Sequence, residues 1–109
     1  MATLTTHVLD QRGGVPAAGM IIALFEADSG ETLSQMRTNA DGRLDAPLLN
    51  EAAGGRYRLI FHVGGYFRDN GVESPFLDRV PVEVTLTGGV RYHVPLLVTP
   101  WAYSVYRGS

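Results

Sequence analysis

The stretch "VPVEVTLTGGVRYHVPLLVT", Val80 to Thr99, decides the fold. Its first run sets Val80, Val82, Val84 and Leu86 against Pro81, Glu83 and Thr85. Its second run sets Tyr92, Val94, Leu96 and Val98 against Arg91, His93, Pro95, Leu97 and Thr99. A period of two sends successive side chains to opposite faces of a strand. Thr87-Gly88-Gly89 is the turn between the two runs.

The same alternation runs outward from there. "LTTHVLD" (Leu4 to Asp10) puts Leu4, Thr6 and Val8 on one face and Thr5, His7 and Leu9 on the other. "GMIIALFEA" (Gly19 to Ala27) is a strongly apolar strand, and "ETLSQMRTN" (Glu31 to Asn39) a more polar one near an edge. Asp41-Gly42 is a hairpin dipeptide. The segment after it, "GRLDAPL", is expected as a short strand that Pro47 confines to an edge or an end. "RYRLIFHV" (Arg56 to Val63) alternates cleanly, and "AYSVYR" is expected to form the last strand after Thr99-Pro100. Only "GGYFRDNGVESPF" (Gly64 to Phe76) breaks the rhythm, and a short helix over Tyr66 to Asn70, closed by Gly71, is expected there. The expected fold is all-β, an antiparallel sandwich of about eight strands in two sheets with one short helix.

Composition narrows the function. A chain of 109 residues favours a single domain, residues 1–109. It has no cysteine, which removes disulfides, thiol nucleophiles and thiolate metal sites. All nine cationic side chains are arginine, so lysine Schiff-base chemistry is also excluded. Net charge is -2 and no basic run occurs, so no nucleic-acid partner is expected. No apolar stretch is long enough to span a bilayer, and no membrane partner is expected. The start, "MATLTTHVLD", has neither a charged nor an apolar leader segment. A cytoplasmic location is therefore expected, although that start is also compatible with a processed periplasmic chain carrying an added Met.

Few residues are left to carry chemistry. The three histidines are His7, His62 and His93, each explicable as a strand histidine bonded to a neighbour. A three-histidine zinc site is chemically allowed, but the spacings match no local ligand motif. No G-x-S-x-G elbow, P-loop or G-x-G-x-x-G is present. Arg43 directly follows the Asp41-Gly42 turn, and Arg107 lies two residues from the terminal carboxylate. From the residues alone, a β-sandwich with an arginine and histidine preference is as far as the argument goes.

Three segments together add more. "LTTHVLDQRGGVPAAGM", "TNADGR" (Thr38 to Arg43) and "YHVPLLVTPWAYSVYRGS" resemble the transthyretin-like 5-hydroxyisourate hydrolases. The terminal Tyr-Arg-Gly-Ser is the most specific element, since it separates the hydrolases of that family from true transthyretins, which carry thyroid hormone. The resemblance implies a transthyretin-like (prealbumin-like) sandwich and a homotetramer, a dimer of dimers with its sites at the dimer–dimer interface. It implies catalytic roles for His7, Arg43, His93 and Ser109, and substrate binding by His7, Arg43, Tyr106, Arg107 and Gly108, with no metal or organic cofactor. The implied reaction hydrolyses 5-hydroxyisourate to 2-oxo-4-hydroxy-4-carboxy-5-ureidoimidazoline in urate breakdown. The alternative is a transthyretin-type carrier of a flat aromatic ligand.

Overall fold

The computed structural model describes residues 2–109. In chain order the elements are β1 (Ala2–Asp10), β2 (Val15–Pro16), β3 (Ile21–Glu26), β4 (Thr32–Arg37), β5 (Leu49–Ala52), β6 (Gly55–His62), α1 (Val63–Asp69), β7 (Arg79–Leu86), β8 (Arg91–Val98) and β9 (Tyr103–Val105). They form two facing sheets. One runs β2-β1-β8-β9, with β5 also paired to β1, and the other runs β4-β3-β6-β7.

Alternation explains how the layers close. β1 buries Ala2, Leu4, Thr6, Val8 and Asp10 and turns Thr3, Thr5, His7 and Leu9 outward. From the facing sheet, Ile22, Leu24, Leu59 and Phe61 meet that buried row with no exposed surface. Each such side chain contributes about 1.5–3 kcal/mol through burial. Phe67 and Tyr66 of α1 plug one end of the core in an edge-to-face pair. The Tyr66 hydroxyl donates to Asp10 Oδ2 at 2.8 Å, which anchors the helix to the end of β1. Burial first, and then Asp10, push the Tyr66 phenol up to about 12. No described helix is long and apolar enough to cross a membrane.

The fold class is the expected one, but several local expectations need correction. "GRLDAPL" forms no strand. Only Arg43 bridges to His7, and the strand lies further on, at Leu49–Ala52. The reason is topological: β4 and β5 belong to different sheets, so the Asp41-Gly42 turn crosses the sandwich and does not fold a hairpin. Thr87-Gly88-Gly89 likewise carries the chain from one sheet to the other. β1 and β8 pair in parallel, with Thr5 opposite His93 and His7 opposite Pro95, and the other strand pairings are antiparallel. The helix begins three residues earlier than expected, at Val63. It is followed by Gly71 at φ 72°, the left-handed position that favours glycine. β9 stops at Val105, and the chain touches the sheet again only at Gly108.

Candidate active site

The outward face of β1 and β8 gathers most of the residues singled out above. Thr5 and His7 share a face because they are two apart on β1, and the parallel register puts His93 directly opposite Thr5. The His93 Nδ1 and Thr5 Oγ1 lie 2.9 Å apart. The Thr5 hydroxyl also points at the Tyr92 carbonyl, at 3.5 Å. When the hydroxyl donates to that carbonyl, Nδ1 carries the proton and the His93 Nε2 keeps its lone pair. His7 is held the other way. Its Nε2 lies 2.9 Å from the Asp41 carbonyl, which can only accept, so this nitrogen is the protonated one.

Arg43 reaches the same face through a tightly built loop. The Asn39 side-chain carbonyl accepts from the N–H groups of Asp41 at 2.9 Å and Arg43 at 3.2 Å. The Asn39 N–H donates to the Arg43 carbonyl at 2.7 Å, and the Val8 N–H donates to the Gly42 carbonyl at 2.8 Å. Gly42 has φ 75°, and a Cβ there would lie 2.4 Å from the Val8 carbonyl oxygen. Only glycine lets the loop lie this close to β1. The result is the Arg43–His7 bridge.

The C-terminus closes the third side. The Gly108 N–H donates to the His93 carbonyl at 2.7 Å. A Cβ at position 108 would meet the His93 Cδ2 at 2.8 Å, so the absence of a side chain is what admits the terminus beside the imidazole. A cleft of about 700 Å³ results, with Thr3, Thr5, Arg43, Arg91, His93 and Ser109 in its lining. Burial lowers the His93 pKa, and the charges of Arg43 and His7 lower it further. The imidazole is therefore neutral near pH 7.

Not every expected residue lies there. Tyr106 and Arg107 border a separate hollow of about 300 Å³ between β7 and β8, together with Val82, Tyr92 and Val105. His62 ends β6 in the other sheet, so the three histidines do not converge. Thr5, Asn39 and Arg91 were not singled out from the sequence. Alternation does put Thr5 beside His7, but its partnership with His93 depends on a parallel pairing between distant strands that no local pattern announces.

Comparison with known proteins gives the family of the chain. The model of the HIUase/Transthyretin family matches residues 4–108. A 5-hydroxyisourate hydrolase of Mesorhizobium japonicum is 51% identical, over 97% of this chain and 91% of the relative. The solved structure of the Klebsiella pneumoniae 5-hydroxyisourate hydrolase superposes with a TM-score of 0.89 at 39% identity, covering 100% of both chains. Sea bream transthyretin, solved with thyroxine, has a TM-score of 0.87 at 24% identity over 97% of this chain and 94% of its own, a likeness of fold alone. A match to the family model along nearly the whole chain, together with a relative at this identity, means that the chain belongs to the HIUase/transthyretin family.

Proposed function

We propose that this chain is a single-domain 5-hydroxyisourate hydrolase. The observation that carries the reading is His93, a neutral imidazole with Nδ1 held by Thr5 and Nε2 open toward a cleft that also holds Arg43. A general base must be neutral and must have a free lone pair; the lowered pKa supplies the first, and the tautomer with its proton on Nδ1 facing Thr5 supplies the second.

The reaction follows from these groups. His93 Nε2 takes a proton from water, and the oxygen bonds to a ring amide carbonyl carbon of 5-hydroxyisourate. The carbonyl oxygen becomes an oxyanion, which the Arg43 guanidinium stabilises with fork-shaped donors. The C–N bond then breaks, and the departing nitrogen takes the proton back from His93. The ring opens to a carboxylate, giving 2-oxo-4-hydroxy-4-carboxy-5-ureidoimidazoline. His7 orients Arg43 through the backbone bridge and offers Nδ1 to water or substrate. Gly108 and Ser109 form the end wall. A substrate-binding role for Tyr106 rests on the family resemblance. No step calls on a metal or cofactor.

The working form is a homotetramer, a dimer of dimers, with this face covered by a second dimer. That reading rests on the family resemblance, and exposed Val15, Trp101 and Tyr103 are available to such a contact. The location proposed is the cytoplasm. The carrier alternative draws on fold alone, and His7, Arg43 and His93 would put charge and hydrogen-bonding groups where a flat aromatic ligand needs an apolar wall.

The test is to generate 5-hydroxyisourate with urate and urate oxidase and follow its transient absorbance. Decay that accelerates in proportion to added protein is the expected result. Decay at the buffer rate, with saturable binding of the compound, would favour the carrier.

A further inference from the structure

Arg107 belongs to the terminal Tyr-Arg-Gly-Ser, yet its guanidinium does not line the cleft of His93. It lies over the Tyr92 ring, 4.8 Å from the centroid. Tyr92 pairs in register with the fully buried Leu4 and packs against the core, so it faces away from His93, its neighbour on β8. The backbone explains why a tie is needed here. β9 ends at Val105, and the sheet takes hold of the chain again only where the Gly108 N–H meets the His93 carbonyl. Tyr106 and Arg107 cross that gap without strand pairing, both exposed.

Tyr92 is well fixed as an anchor. Its hydroxyl accepts from the Thr87 N–H at 2.9 Å, and its carbonyl faces the Thr5 hydroxyl that holds His93 Nδ1. The Thr87 bond, and then the nearby Arg107 charge, hold the Tyr92 phenol below its ordinary value. The ring therefore links the β7–β8 turn to the terminal segment, and the backbone carbonyl of the same residue faces the Thr5 hydroxyl beside His93.

We propose that Arg107 is a positioning residue, whose stacking on Tyr92 pins the terminal segment so that Gly108 and Ser109 close against His93. Its link to catalysis rests on the hydrolase reading; the clamp itself does not. Arginine suits the role because its planar cation lies flat on an aromatic face.

The test uses Arg107→Met, Tyr92→Leu, the double variant, Arg107→Lys and Tyr92→Phe, with amide hydrogen exchange at Gly108 and 5-hydroxyisourate kinetics read on each. Arg107→Met is expected to speed Gly108 exchange about two- to fivefold, the worth of one exposed cation–π contact. It should lower kcat more than it raises KM. Tyr92→Leu, which also removes the Thr87 bond, should do at least as much, and adding Arg107→Met to it should make nothing worse, because the stacking contact is already gone. Arg107→Lys should recover part of the protection, and Tyr92→Phe, which keeps the ring, should retain it. Unchanged Gly108 exchange in Arg107→Met, a raised KM with kcat intact, or additive effects would overturn the proposal and make Arg107 a substrate contact. If the exchange results hold while the wild-type protein leaves 5-hydroxyisourate untouched, the clamp stands and the hydrolase reading fails.

Discussion

His62 and His93 are electrostatic near-twins on the outer faces of opposite sheets. Both are half-buried and both have a pKa lowered first by burial and then by an arginine, Arg79 for His62 and Arg43 for His93. Their surroundings differ. Around His62 several charges pair off, Arg58 with Glu83 at 3.1 Å, Arg68 with Asp78 at 3.0 Å, and Arg56 with Asp28 and Glu83, while Arg79, like the arginines at His93, has no carboxylate at ion-pair distance among the described side chains. Around His93, among the described side chains, neither Arg43 nor Arg91 has a carboxylate at ion-pair distance. A lowered pKa thus marks burial beside a cation wherever that occurs. A site also needs a cleft that a ligand can enter with several polar groups turned into it, as His93 has with Thr5, Arg43, Arg91 and Ser109.

The sharpest way to break this comparison is to truncate both histidines. His93→Ala should slow 5-hydroxyisourate hydrolysis by about a hundred- to ten-thousand-fold, the range for a lost general base, with the fold intact by circular dichroism. His62→Ala should leave the rate unchanged. Equal losses would erase the distinction between the two faces.

Next in size is Arg43→Lys, set beside Arg58→Lys. Losing an oxyanion donor costs about a hundred- to a thousand-fold in kcat, and a lysine ammonium lacks the planar fork. Arg43→Lys should approach that loss, whereas the ion-paired Arg58→Lys should keep the wild-type rate. Full activity in Arg43→Lys would show that a point charge is enough.

A smaller effect separates the two chain ends. A Gly-Ser extension after Ser109, which itself lines the cleft beside His93, should crowd it more than the same extension before Met1, which reaches the lining only through Thr3. The first should lower the rate well below the second when the two proteins are matched by size-exclusion chromatography. Equal rates would mean that Ser109 is no wall of the site.

The mildest effect is in pH. His93 works as a base only when neutral, and its pKa lies below the ordinary 6.5. Activity should therefore be full above 6.5 and be lost only as pH falls through the lowered value. The folded state holds fewer protons than the unfolded state in that window, so stability is also present above 6.5 and erodes below it. His62 should contribute to the stability trend but not to the rate, so His62→Ala should keep the acid limb of the rate profile unchanged. An acid limb centred above 6.5 would exclude His93 as the base.

How much of this was legible in the sequence depends on distance along the chain. Alternation in β1, β6, β7 and β8 gave the strands and their buried faces, because period-two burial is a local property. It could not give the pairing of Thr5 with His93, 88 residues apart, nor the fact that two glycine turns cross between sheets. The Asp41-Gly42 dipeptide looks like a hairpin locally, and the partnership of Gly42 with Val8 is what turns it into a loop that delivers Arg43. His7, Arg43, His93, Gly108 and Ser109 were named through the family resemblance and meet on one face. Arg107 came from the same motif and lies on Tyr92 instead, because a motif gives membership of a segment and not the direction of a side chain.

The central claim is that this chain adds water to 5-hydroxyisourate, and running the reaction in ¹⁸O-labelled water tests it most directly. Mass spectrometry of the early product should show one ¹⁸O in the newly formed carboxylate, appearing at a rate that rises linearly with wild-type protein and falls to the buffer rate with His93→Ala. Label appearing at the buffer rate whatever the amount of wild-type protein would contradict the account.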